Sequence, residues 1–501
     1  MIESLLNLMG GLSIAFQPTN LLFALVGCLL GTLIGVLPGI GPLATISMLL
    51  SLTIQLEPTT SLIMLAGVYY GSQYGGSTTA ILCKIPGEST SVLTAIDGHA
   101  MARRGEANKA LATAALSSLL AGIIATILIA LFSPALSRLA LTFNAPEYAM
   151  LMILGLLACV FFSGGALLKS LAMAILGLLL GMVGTDVETG AQRFTFEFGT
   201  FTDGLDLIAV SMAFFGLNEI MTSISHGSSL QRERVGSIGS FGIDWSTIRR
   251  LFPAALRGSF IGSLLGVLPG GGVQLSPFAA YTVEQKVSRN SREIGTGAIE
   301  GVAGPEAANN AAAQTSFIPL LTLGIPGNPV IALILGAMIM QGIQPGPQVF
   351  ITQPGLVWGL IASMLVGNLM LVIINYPLIG IWVKLLTVRE AILYPAIVVF
   401  ACIAVFTASN DPINLVLMSI LAALGILLTT LGFSLVPLIL GVVLGPMLED
   451  SFRRALVISH GDMTVFVTRP VSAGILLIIF AVFGLAMLPR IRRNKEIFSE
   501  V

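Results

Sequence analysis

Apolar runs follow one another along almost the whole chain. They fall at 21–37, 43–56, 61–82, 110–133, 147–163, 165–184 and 207–224. After a polar stretch they resume at 253–268, 273–283, 297–324, 328–342, 356–378, 391–408, 413–430, 432–447 and 471–488. A helix needs about 20 apolar residues to cross a bilayer. The longer runs meet that length, and the shorter ones flank Pro-Gly breaks and read as half-helices or re-entrant hairpins. The pattern predicts an all-α polytopic membrane protein with roughly 10–13 transmembrane helices. Met1–Phe16 reads as a short amphipathic helix on the membrane surface. No basic region precedes its apolar part, so a cleaved signal peptide is not expected.

The chain repeats itself. Gly31–Gly41 matches Gly262–Gly272 at 8 of 11 positions, an offset of 231, and the Ile-Pro-Gly at 85–87 recurs at 325–327, an offset of 240. Two motifs in the same order argue for duplication. The expected division is a first half at 1–224, a linker at 225–252, a second half at 253–450 and an extra helix with a basic tail at 451–501.

Loop charge orients the halves. The loop before the first Ile-Pro-Gly carries only Glu57, and the loop after it carries Arg103, Arg104 and Lys109. In the second half the order swaps: Lys286, Arg289 and Arg292 come before the motif, and 341–357 carries no charge. Basic loops stay in the cytoplasm, so equivalent loops face opposite sides, which marks two inverted-topology repeats. The basic linker and the tail Arg490–Lys495 read as cytoplasmic, and the acidic segment 185–206 as extracytoplasmic. Two inverted halves of odd span number would leave the tail outside, so the helix at 471–488 is placed outside the symmetric core.

Composition narrows the class. Only 10% of the 501 residues are charged, against about 25% in an ordinary soluble domain, and 55% are hydrophobic. That excludes a soluble enzyme and a nucleic-acid-binding protein. The four cysteines and three histidines have no metal or disulfide spacing. No acidic pair, metal motif or activated nucleophile is visible, so an enzyme is the weakest reading.

Pro38-Gly39, Pro86-Gly87, Pro269-Gly270 and Pro326-Gly327 break helices at equivalent places, because proline removes a donor and clashes with the preceding turn. Pro42 and Pro277 suit the first turn of the helix that follows. Such breaks are tolerated only against protein or a watery cavity, and the new N-termini suit an anion. Pro38, Gly39, Gly41, Pro86, Gly87, Gly270, Gly271, Pro326 and Gly327 are therefore candidate substrate-binding residues.

Small polar runs add neutral ligands: Ser77 and Thr78 in the first half, Asn309, Asn310 and Thr315 in the second. Close helix packing through small residues explains Gly71 with Gly75 but not adjacent asparagines. Lys84, inside an apolar stretch, either meets a substrate carboxylate or pairs with Glu88. Glu306, with Gln314, is the candidate coupling-ion site, because a charge at bilayer depth costs at least about 2.5–3.5 kcal/mol and needs a role or partner. Its alternative is a cap for a half-helix. Asp97 and His99 read as structural.

The segments GVLPGIGP, YYGSQYGGSTTAIL, IPGESTSVLTAIDGHAMARRG, PEAANNAAAQTSFIPLLTLGIPGNP and GVVLGPMLE resemble the TctA family, the large permease subunit of tripartite tricarboxylate transporters. The resemblance covers essentially the whole chain, and the PEAANN to IPG stretch is its most specific part. It implies a bacterial inner-membrane permease, a small membrane subunit and a periplasmic solute-binding protein as partners, and uptake of carboxylates such as citrate driven by an ion gradient. Lys84 departs from it, standing where a small neutral residue, often Asn, is expected. The second break reads LPGGG where the first reads LPGIG.

The expected function is secondary active uptake of small organic carboxylates coupled to Na+ or H+, with no cofactor beyond that ion. An elevator-like motion is an analogy only. The alternative is an anion channel lined by the same broken helices.

Overall fold

The computed structural model describes residues 2–37, 41–84, 86–163, 166–186, 189–225, 244–268, 270–385 and 390–487. Pro38, Gly39, Pro269, most of the linker and the basic tail lie outside the described residues.

The fold is helical almost throughout. The first half holds α1 (Ile2–Ala15), α2 (Pro18–Val36), α3 (Pro42–Thr53), α4 (Pro58–Cys83) and α5 (Val92–Met101). It continues with α6 (Ala107–Ala140), α7 (Ala145–Phe162), α8 (Leu167–Gly181), α9 (Leu207–Ser211) and α10 (Asn218–Ser225). A two-stranded ribbon, Gly184–Thr185 with Gln192–Arg193, separates α8 from α9. The second half holds α11 (Trp245–Gly266), α12 (Gly272–Val287), α13 (Ile299–Thr315), α14 (Phe317–Leu323) and α15 (Pro329–Met340). After a short α16 (Val349–Thr352) come α17 (Pro354–Asn375), α18 (Ile379–Leu385), α19 (Glu390–Ser409), α20 (Ile413–Thr430) and α21 (Val436–Ile458). The chain then runs through α22 (Val465–Thr468) into α23 (Pro470–Met487).

Among the described residues, 6 helical stretches are long and apolar enough to cross a membrane, with shorter apolar helices between them. The protein is a multi-pass membrane protein. Two helices rich in small and polar residues are wholly covered: α4 is buried from Thr59 to Leu82, and every residue of α13 is buried. A helix covered on all sides can carry polar groups that lipid would reject.

Glycine stripes hold these two helices. Gly27, Gly31 and Gly35 of α2 lie against the backbone of Met64, Val68 and Ser72 of α4. Gly258, Gly262 and Gly266 of α11 lie the same way against Gly304, Ala308 and Ala312 of α13. A Cβ at any of the six would overlap backbone, so only glycine permits this approach. The halves also interleave: α6 packs on α13, α17 packs on α4, and α21 packs on α7 and α8.

The Ile-Pro-Gly breaks fold the chain back. Beyond α4 the Gly87 N–H reaches back to Gly76 O (3.4 Å). α5 then runs beside α4 again and brings His99 Nδ1 within 3.1 Å of Ile81 O. In the second half Gly327 lies on Ser316, and its carbonyl accepts from Gly270 N–H (2.8 Å).

One expectation changes. Pro277 does not open a helix: α12 starts at Gly272, and the Val273 carbonyl that Pro277 leaves unbonded is taken by the Ser276 hydroxyl (2.9 Å). The N-terminal helix packs along α17, with Gly11 pressed on the Trp358 backbone, while Leu5, Leu6 and Met9 stay exposed.

Candidate functional site

Glu306 lies near the middle of α13, 1% exposed. Its carboxylate accepts from Ser77 Oγ of α4 (2.7 Å to each oxygen) and from Thr94 Oγ1 of α5. The partners come from the other half of the sequence, 229 and 212 residues away. Beside it is a small cavity lined on one side by Tyr74, Ser77, Thr78, Ser118, Glu306 and Asn375 and on the other by Leu111, Ala114 and Ala115, with room for about one water-sized occupant. Asn375 of α17 donates from Nδ2 to Thr32 Oγ1 (3.1 Å) and Leu371 O (3.0 Å), while its buried Oδ1 has no partner. Its polar part presents oxygens, one carboxylate among them, and the rest of its wall is apolar.

Further amides continue the polar layer. Asn310 donates to Ser118 Oγ (2.6 Å), and Gln314 Oε1 accepts from Thr126 Oγ1 (3.1 Å), both on α6. Tyr74 OH donates to Asn368 Oδ1 (3.3 Å) on α17. Asn309, 1% exposed, has no partner on either amide atom, and Gln314 Nε2 has none.

A second polar group lies at the first fold-back. Gln73 Nε2 donates to Glu88 Oε2 (2.7 Å), and Thr90 Oγ1 donates to Gln73 Oε1 (3.0 Å). Glu88 Oε1 is shielded from solvent and has no partner. Across the break of the second half, Asn328 caps α15 through Ile331 N–H (2.9 Å) and donates to Tyr69 OH (3.1 Å).

The other buried carboxylates among the described residues are compensated. Glu284 is held bidentately by Arg257 (2.8 and 2.6 Å), and Glu300 by Arg250 (3.0 and 2.8 Å). Glu147 meets Arg469 and Asp186 meets Arg453, both at 2.6 Å. Asp97 accepts from the N–H groups of Gly295, Gly297 and Ala298 and from Tyr281 OH, and so fixes the start of α13.

The expected site residues therefore separate. Ser77, Thr78 and Glu306 meet at the cavity, with Asn310 and Gln314 along the same helix. Thr315 turns away: its hydroxyl bonds Ala311 O (2.9 Å) and its side chain abuts Gly266. Gly41 caps α3, half-buried, away from these groups. Pro86 is exposed, and Gly87 is wedged between Gly35 and Gly76. Gly270, at φ +99, and Gly271 press on Cys159 and Phe162 of α7, while Pro326 and Gly327 are buried beside them. Lys84 is exposed, at φ 59, and makes no ion pair with Glu88. It ends α4 in the left-handed conformation where Gly and Asn are preferred, and Gly324 holds the equivalent place at φ 70.

Sequence reasoning missed Thr94, Ser118, Tyr74 and Asn375. Asn368 and Asn375 were detectable as lone amides inside the otherwise apolar run of α17. Thr94 and Ser118 carry no such signal.

A bundle of broken helices around a dehydrated polar layer, with a carboxylate at its centre, defines a multi-pass membrane transport protein. The chain belongs to the Tripartite tricarboxylate transporter TctA family, whose match spans residues 21–440. It is 52% identical over 496 residues, 99% of both chains, to a protein of Agrobacterium vitis described as the uncharacterized 52.8 kDa protein in the TAR-I ttuC′ 3′ region. It is 57% identical over 235 residues to an uncharacterized Agrobacterium vitis protein in the TAR-II ttuC′ 3′ region, covering 47% of this chain and 97% of that one. No solved structure matches.

Proposed function

We propose that the protein is a secondary active importer of small organic di- and tricarboxylates, citrate being the first to test. It works in the bacterial inner membrane with a small membrane subunit and a periplasmic solute-binding protein. Family membership supports the substrate class and the tripartite assembly. The observation that carries the coupling is Glu306. It is a buried carboxylate whose side-chain partners are hydroxyls, beside a cavity sized for an ion and too small for a tricarboxylate. An ionised carboxylate there favours a monovalent cation, Na+ or H+, as occupant. Cation binding at Glu306 neutralises the polar layer and lets the substrate site change sides.

The halves are read as inverted repeats, with boundaries at 1–224, 253–450 and 451–501. The end-to-end contacts support this. At one end Arg104 approaches Gly297 and Asp97 binds the 295–298 loop, so the two basic loops share a face. At the other end Gln341 Nε2 reaches Thr53 O (2.6 Å), which joins the two loops poor in charge. Equivalent loops then lie on opposite sides of the membrane. The neutral amides Asn309 and Asn310 and the paired fold-backs are the substrate-side candidates.

Uptake of a labelled carboxylate panel into proteoliposomes, with both partner subunits and with sodium and proton gradients imposed separately, tests the reading. Accumulation with one gradient identifies the ion and the substrate together. Downhill equilibration indifferent to both gradients would leave a channel.

A further inference from the structure

We infer that Glu88 forms a second cation position, so that two monovalent cations bind per chain. The inference rests on the reading of Glu306 as the first. Each buried acidic side chain other than Glu306 among the described residues faces an arginine or, for Asp97, a row of backbone N–H groups. Glu306 is held by hydroxyls, and half-buried Glu88 by the Gln73 amide.

At Glu88 the hydrogens are already committed. The Thr90 hydroxyl donates to Gln73, the Gln73 amide donates to Glu88 Oε2, and Oε1 is left without a partner. The short turn Ser89–Ser91 packs on α13, the helix that carries Asn309, whose buried amide is unclaimed on both atoms.

The repeat makes the same point. Tyr69 and Asn309 stand 240 residues apart, as do Glu88 and Asn328. Tyr69 reaches Asn328 across the halves (3.1 Å). The counterpart pair, Asn309 and Glu88, has unclaimed oxygens where the first pair has a hydrogen bond. A carboxylate oxygen shielded from solvent and left without a donor suits a monovalent cation, not an anion. Two cations would also balance two charges of a carboxylate substrate.

The test is cation binding to the purified full chain, which needs no substrate. Equilibrium binding of radioactive sodium gives one arm. Potentiometric titration between about pH 6 and 9, above the ordinary carboxylate range, gives the proton arm. Wild type is expected to bind two sodium ions and Glu88→Gln and Glu306→Gln one each, or, on the proton arm, each variant is expected to release one proton fewer than wild type over the same range. A single cation in wild type, or an unchanged count in Glu88→Gln, overturns the second position. An unchanged count in Glu306→Gln instead overturns the first. If Glu88→Gln does not fold, Glu306→Gln decides: one remaining cation is expected, and none overturns the inference.

Discussion

α4 in the first half and α13 with α14 in the second occupy places 240 residues apart, and each is clasped by a glycine-striped partner, α2 or α11. Their side chains differ. Where α4 carries Tyr69, Tyr70 and Tyr74, the second half carries Asn309, Asn310 and Gln314. Two tyrosines are satisfied within the core, Tyr69 by Asn328 and Tyr74 by Asn368, while Tyr70 lies tilted at 6.0 Å from Phe317 with its hydroxyl unpartnered. The amides are left with open valences at Asn309, Asn310 and Gln314. On a similar scaffold, the second run leaves more of its polar atoms unpartnered than the first. The fold-backs differ the same way: Glu88 stands where the second half has Asn328, and Lys84 where it has Gly324.

The largest expected effect tests the shared scaffold. Gly31→Leu and Gly262→Leu each force a side chain into backbone. That exceeds ordinary overpacking of about 1–3 kcal/mol. Both should leave little folded protein on detergent size-exclusion chromatography. Normal folding of either one breaks the equivalence of the stripes.

Next comes a difference between the halves. Arg257 binds Glu284, which is 1% exposed, while Val26 stands at the matching place on α2. Arg257→Ala strands a buried carboxylate and should cost about 3 kcal/mol, the low end for such pairs because Arg257 is one-third exposed. A thermal melt in detergent reads this, and Val26→Ala should lower the melting temperature far less.

The fold-back caps predict smaller changes. Asn328→Ala removes the cap on α15 and should lose about 1 kcal/mol, read as a lower melting temperature. Lys84→Gly relieves a left-handed lysine and should gain about 1 kcal/mol, with uptake unchanged. A gain in stability with lost uptake would return Lys84 to the substrate site.

Much of the scaffold was legible in the sequence. The offsets of 231 and 240 between the motifs also relate the stripes and the caps. The loop charges grouped the loops that the structure brings together at each end. Ser77, Thr78 and Glu306 were legible because polar groups in apolar runs must converge. Thr94, Ser118 and Asn375 were not, because their meeting depends on how α5, α6 and α17 cross α4 and α13. The Pro-Gly breaks suggested open N-termini facing an anion. At the first break Glu88, the protein's own carboxylate, already occupies that ground.

Coupling at Glu306 is the central claim, and Glu306→Gln in proteoliposomes tests it most directly. Gradient-driven accumulation and equilibrium exchange of labelled citrate would be measured side by side, with both partner subunits present. The account predicts that accumulation falls to the level of protein-free vesicles while exchange persists, because the substrate site survives and the cation site does not. Undiminished accumulation by Glu306→Gln under the same gradients would contradict it.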